Sequence, residues 1–244
     1  MPQLIEKFEY KLEDLSITDI DESSTQLYLS PVYSLYQIAL SKCPKGELDE
    51  QILICNLVYA MDEWIIDSLE DFKDERDGVV SSKELVQHLS TITGIQLNEL
   101  KREVIGAVGV TTYNDGYLKG VQIRSTFIDE NHRGNKLSEK AYSYLASKFD
   151  LVLSDSRQTI NAATLWQNAL PRAAVVTAYD SIEKKQLEVV NPHEELNGRY
   201  WSITPMDKSK KDTYINAKER YKFGSSIDII DCKMHIILTM KCKK

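Results

Sequence analysis

The sequence predicts one domain of mixed α and β structure, of the α/β or α+β class, and three observations predict it. Residues 117–170 pass from a β-branched segment, YLKGVQIRSTFI, through a basic turn, DENHRGN, to a helical spacing, KLSEKAYSYLASK, then to a short apolar run, FDLVLSD, and a second helical spacing, TINAATLWQNAL. That succession is a β-α-β-α unit. Just upstream, REVIGAVGVTTY has strand composition and leads through Asn114-Asp115-Gly116, a hairpin signal, into the same unit. Between Leu48 and Phe72, apolar residues recur at intervals of three and four with acids between them, the mark of an amphipathic helix.

Taken in order, residues 1–30 join a strand-like stretch, KFEYKLEDLSI, to an acidic, serine-rich connection, TDIDESST. Leu27, Leu29, Val32, Leu35, Tyr36, Ile38, Ala39 and Leu40 then predict a helix interrupted near Pro31 and ended by Cys43-Pro44-Lys45-Gly46. A long helix over 48–72 follows, on Ile52, Cys55, Leu57, Val58, Met61, Trp64, Ile65 and Leu69. Asp77-Gly78 invites a test as a calcium loop: with Gly78 at the sixth place, Glu75, Asp77 and Glu84 fall at the third, fifth and twelfth. Lys73 then falls where the first carboxylate is needed, so the segment reads as an acidic helix–turn–helix. Ser81 or Ser82 caps the next helix, with Glu84 in its first turn.

Gly106 and Gly109 inside the strand at 102–113 mark a bulge or the close approach of another backbone. Beyond the second helix, Pro171 breaks the chain, AAVVTAYDSIEKKQLEVV supplies one or two strands, residues 191–226 read as a polar flap, and IDIIDCKMHIILTMK is again strand-like. The chain is thus a single domain in three parts: an acidic strand and helical front at 1–100, a core at 101–190, and a flap with a C-terminal strand at 191–244.

Composition bounds the function. A hydrophobic share of 42% and a charged share of 27% are ordinary for a globular protein. No run of eighteen apolar residues occurs, and MPQLIEKFEYKLED is too acidic for a secretion signal, so the expectation is a cytoplasmic protein with no membrane partner. Cys43, Cys55, Cys232 and Cys242 form no C-x-x-C pair and have no matching histidine spacing, which predicts neither a metal site nor a disulfide framework. Residues 1–100 carry 7 Lys/Arg against 20 Asp/Glu, residues 101–184 carry 11 against 9, and residues 185–244 carry 12 against 8. An acidic front repels nucleic acid and the mildly basic tail is too weakly charged to bind it.

The turn His132-Arg133-Gly134-Asn135 joins the strand to the helix, so the helix's first free N–H groups, with Arg133 beside them, form a place for a phosphate or pyrophosphate. With these residues the chain resembles the GNAT acetyltransferase superfamily, whose pyrophosphate signature is Gln/Arg-x-x-Gly-x-Gly/Ala before a helix. Asn131 takes the Gln/Arg place, Gly134 matches the first Gly, and Lys136 stands for the Gly/Ala. The surroundings VQIRSTFI, Arg133-Gly134, Leu137, LVLSD and ATLWQNAL follow the family's order, and LVLSDSRQTINAATLWQ looks like GNAT-type proteins of bacteriophages. The resemblance covers about 100–190. It implies a GNAT-like mixed, mostly antiparallel twisted sheet flanked by helices, with an acidic helical N-terminal part and a C-terminal extension.

It also implies acetyl-CoA as co-substrate. Main-chain contacts to pantetheine would come from Thr126, Phe127 and Ile128, and phosphate contacts from Arg133, Gly134, Asn135, Lys136, Leu137 and Ser138. Many relatives place a Glu on the strand and a Tyr on the second helix. Here YLKGVQIRSTFI has no acid, and Trp166 takes the Tyr place. Substitutes are Glu130, Asp155 or His132 as base and Ser154 or Tyr179 as acid; the alternative for each is structural, as helix cap, solvated turn residue or packing residue. Two functions follow. One is an N-acetyltransferase acting on an unnamed amine acceptor, a small molecule or a protein, and cationic if the acidic front steers it. The other is a catalytically inactive GNAT-like scaffold of phage origin, binding a protein partner or a second copy of the chain in the host cytoplasm.

Overall fold

The computed structural model describes residues 20, 24–42, 49–155, 157–192, 201–203, 229–232 and 236–242. Its elements are β1 (Gln26–Leu29), β2 (Leu35–Lys42), β3 (Glu50–Leu57), α1 (Glu63–Asp74), α2 (Ser82–Thr93), β4 (Arg102–Asn114), β5 (Lys119–Ile128), α3 (Leu137–Lys148), β6 (Val152–Leu153), β7 (Arg157–Thr159), α4 (Ile160–Thr164), a π-helical turn (Leu165–Ala169), α5 (Leu170–Ala173), β8 (Ala174–Asp180), β9 (Lys185–Val189), β10 (Trp201–Ile203), β11 (Ile229–Cys232) and β12 (Ile236–Cys242). The class is α+β, built on a mixed, mostly antiparallel nine-stranded sheet in the order β1-β2-β3-β4-β5-β6-β12-β8-β9, with a small sheet β10-β11-β7. The chain falls into two compact units, Met1–Thr111 with Arg124–Tyr144, and Thr112–Ile123 with Leu145–Lys244, so that β4, β5 and α3 each contribute to both.

In the first unit β1, β2, β3 and β4 pair antiparallel in sequence order. This corrects two expectations. The stretch at 27–40 is a two-stranded hairpin, not a helix, and 48–72 is a strand, β3, followed by the shorter helix α1. The cause is burial on both faces: six of the eight residues of β2 and six of the eight of β3 are buried. A strand covered on both sides loses its polar–apolar alternation, and its continuous apolar run then satisfies helical spacing as well. Helix α1 starts where Asp62 stands at the N-cap.

The helix–turn–helix is as read. Asp77 and Gly78 turn with φ of 52° and 73°, and Ser81 caps α2 through a reciprocal capping box with Glu84. The two helices bury Ile65, Leu69, Leu85, Val86 and Leu89 against Leu29, Leu35 and Leu57 of the strands, which is where this unit gains most of its apolar stabilisation.

Both readings of Gly106 hold. The β3–β4 register shifts between Ile54/Cys55, whose partners are Gly106 and Val104, so Ile105 bulges out of β4. A Cβ on Gly106 would lie 2.7 Å from the Phe127 carbonyl oxygen, closer than backbone tolerates. The bulge turns the Ile105 carbonyl to accept the Asp129 N–H at 2.7 Å, which fixes the point where β5 gives way to the turn before α3.

In the second unit the first half of β5 pairs with β6 in parallel, through Val121–Val152 and Gln122–Leu153. A parallel pair needs a crossover, and α3 supplies it. β12 then lies antiparallel between β6 and β8, and β9 forms the edge beyond β8. The second helical stretch begins at Ile160, after β7, so Asp155 is not its cap. Ser156, the segments KFEYKLEDLSI and Cys43–Gly46, and the flap at 191–226 apart from 191–192 and β10 lie outside the described residues. Among the described residues no helix is long and apolar enough to cross a membrane.

Candidate functional site

Within the first unit the end of β5, the turn at 129–136 and the start of α3 form one continuous structure. Asp129 opens the turn: its carboxylate accepts the Asn131 N–H at 2.9 Å and caps a single 3-10 turn over Glu130–His132. The Arg133 Nε–H donates back to the Ile128 carbonyl at 3.1 Å, closing the turn on the last residue of β5. Gly134 and Lys136 then take φ of 87° and 58°. The first is the freedom only glycine has without strain; the second is an uncommon conformation for lysine. Leu137 is buried and seats the helix, and the Lys140 N–H is bonded to the Lys136 carbonyl, so the N–H groups of Leu137, Ser138 and Glu139 are those the helix itself leaves without a carbonyl.

A second set of bonds ties this turn to β2. Tyr36 is fully buried, and its phenolic oxygen lies 3.1 Å from His132 Nδ1 and accepts the Asn135 Nδ2–H at 3.1 Å. Asn135 Nδ2 also donates to the His132 carbonyl at 3.1 Å. The His132 ring meets Tyr36 edge-on, Tyr28 stacks beside Tyr36, and the Lys140 ammonium lies over the Tyr28 ring. Burial raises the Tyr36 phenol above its ordinary value, with a smaller lowering from Ser34, which keeps it protonated.

The predicted cofactor residues therefore lie together in one unit. Thr126, Phe127 and Ile128 end β5, with the Thr126 hydroxyl 2.7 Å from that of Tyr142 on α3; Arg133, Gly134 and Lys136 are exposed, and Asn135 and Ser138 are half-buried. Glu130 is exposed beside them.

Ser154, Asp155 and Tyr179 belong to the second unit. Ser154 is fully buried at the end of β6; its hydroxyl oxygen accepts the Leu238 N–H at 3.0 Å and its carbonyl accepts the Gln122 amide at 3.0 Å. Tyr179 is buried and donates to Asp115 Oδ2 at 2.9 Å. Tyr113 donates to the same oxygen at 3.2 Å, the Lys184 ammonium approaches it to 2.9 Å, and Asp115 Oδ1 accepts the N–H groups of Tyr117 and Leu118. Burial pushes the Asp115 carboxyl upward, but these donors outweigh it and hold it well below the usual carboxylate range. Burial, then Asp115, pushes both Tyr113 and Tyr179 up to about 12. Trp166 lies buried in the π-helical turn, and an indole N–H offers a hydrogen bond but no usable acid.

The sequence showed Asp115 as a turn residue and Tyr36 as an apolar one, and gave no sign of the partners either would gather. Among the described residues no group of three or more His, Cys, Asp or Glu is placed to hold a metal ion. Compared with known proteins, the chain matches no protein-family model and no curated protein sequence.

Proposed function

We propose that the protein is a GNAT-type N-acyltransferase that takes acetyl-CoA as co-substrate. The observation that supports this best is the turn between β5 and α3: a strand ends, Gly134 turns the chain at positive φ, and a helix N-terminus follows with Arg133 and Lys136 exposed beside it. Helix N-termini bind phosphate, because their first N–H groups have no carbonyl partner within the helix. Arg133 to Ser138 hold the pyrophosphate, and the main chain of Thr126, Phe127 and Ile128 receives the pantetheine amides.

In the reaction the acceptor amine attacks the thioester carbonyl, the C–N bond forms, the C–S bond breaks, and one proton leaves nitrogen while another reaches the thiolate. Glu130, exposed beside the turn, is the carboxylate proposed to take the first proton, directly or through water. Ser154 and Tyr179, the proposed acids, are poorly matched to the second step: one accepts from backbone and the other has its proton on Asp115 at a raised pKa. Water is the better proton source. The excess of acids in residues 1–100 favours a cationic acceptor such as a lysine side chain or a polyamine.

Those structural roles of Ser154 and Tyr179, with no acid on β5, favour the second reading, a GNAT-like scaffold without catalysis that binds a protein. Release of free thiol from acetyl-CoA, measured over a panel of polyamines and basic peptides, separates them. Amine-dependent release supports the enzyme; binding of acetyl-CoA with no release from any acceptor supports the scaffold.

A further inference from the structure

We infer that Tyr36 is a positioning residue for the phosphate-binding turn, acting through His132 and Asn135; the inference rests on the acyl-CoA reading above and adds to it a residue far from the signature in sequence. The turn is polar, exposed at Arg133, Gly134 and Lys136, and crosses the left-handed region twice; the Asp129 and Arg133 bonds hold its first half, 129–133, and leave the second half, at Gly134 to Lys136, in need of an anchor. Tyr36 supplies it. Its phenol is fully buried, is delivered by a strand paired on both sides, and bonds to two turn residues three positions apart.

Asn135 bridges the two contacts by donating also to the His132 carbonyl. One phenol, one imidazole and one amide therefore form a connected set between β2 and the turn. The phenol at its centre is buried, and a buried polar group is costly to leave without its partners. Gly134 lies between its two anchors, and Lys136 and the free N–H groups of α3 follow directly, so the set fixes where those N–H groups stand. On its other side Tyr36 rests on Tyr28, and Lys140 of α3 covers Tyr28, so the same stack steadies the first turn of the helix. Tyr36 itself touches no ligand in this scheme.

The test uses the full chain with Tyr36→Phe, which keeps the ring and removes only the hydroxyl, and with Asn135→Ala, which removes the other half of the set from a half-buried position. Amide hydrogen exchange is read with no ligand present, and CoA and pantetheine are titrated separately. Faster exchange confined to the segment 129–139 in both variants is expected, as is CoA binding about tenfold weaker with pantetheine binding unchanged. The double variant should be no worse than the weaker single one.

Unchanged exchange in the turn, or a rise spread equally over β2, β3 and α1, would overturn the inference. Equal weakening of CoA and pantetheine would overturn it too. Should the unmutated protein bind neither ligand, the acyl-CoA reading fails, and the exchange pattern still decides whether Tyr36 holds the turn.

Discussion

Two tyrosine-bearing clusters, one in each unit, gather turn residues around a single oxygen, yet they are finished differently. Around Asp115, both carboxylate oxygens are filled: two phenols and an ammonium on one, two backbone N–H groups on the other. Every donor is satisfied by a charge, and the cluster turns inward. Around Tyr36 the partners are an imidazole and an amide, and the turn they hold leaves Arg133, Gly134 and Lys136 facing solvent. Among the described residues, His132 Nε2 and the Lys136 ammonium have no hydrogen-bond partner. A closed cluster serves stability; an open one beside a helix N-terminus can serve a ligand.

The largest expected effect breaks the closed cluster. Asp115→Ala leaves the buried Tyr179 phenol and the half-buried Tyr113 phenol without their acceptor and should cost about 3 kcal/mol of stability in urea unfolding. The folded variant should bind acetyl-CoA as the unmutated protein does. Next, Gly106→Ala forces a Cβ against the Phe127 carbonyl and should cost about 2 kcal/mol. It also disturbs the bulge that holds Asp129, so here, unlike at Asp115, acetyl-CoA binding should weaken together with stability.

A pH titration sharpens the contrast without mutation. Tyr113 and Tyr179 keep their protons up to about 12 in the fold, against about 10 in the unfolded chain. A raised pKa means that the stabilisation is complete below pH 10 and is lost as pH rises from there toward 12. Asp115 has the opposite sign: its carboxyl is held low, so its contribution is complete above the unfolded carboxylate range and is lost progressively as pH falls through and below that range. Unfolding midpoints measured across the alkaline range should fall, and Tyr113→Phe with Tyr179→Phe should flatten that fall. The smallest effect lies in the open cluster. Glu139, in the first turn of α3, opposes a phosphate there, so Glu139→Gln should tighten CoA binding about twofold at low salt and less at high salt.

How much of this could be read from the residues depends on the range of the interaction that decides each element. A serine cap at Ser81 or Ser82 with Glu84 in the first turn of α2, the turn at Asp115-Gly116, β4, β5 and α3 are set by neighbours within a few residues, and the sequence shows them. So does the calcium loop's failure, because Lys73 alone decides it. The strands β2 and β3 were hidden because burial on both faces erased their alternation. The insertion of β12 between β6 and β8 and the short β7 ahead of α4 depend on pairings with distant chain, which no local pattern announces. The same holds for the candidate site. Gly134 and its neighbours were legible as a strand–turn–helix junction. Tyr36, 96 residues before His132, was not, since a buried tyrosine among apolar residues looks like packing until its hydroxyl is seen to have partners.

The most direct test of the acyl-CoA reading is calorimetric titration of acetyl-CoA into the unmutated protein and into Gly134→Trp. At Gly134 a side chain meets open space but a strained backbone, at φ of 87°, so a tryptophan there disturbs the turn and covers the approach to the helix N-terminus without breaking the core. Micromolar binding by the unmutated protein, lost in a Gly134→Trp variant that still unfolds cooperatively, is the predicted result. No heat at millimolar ligand, or equal binding by both proteins, would contradict it.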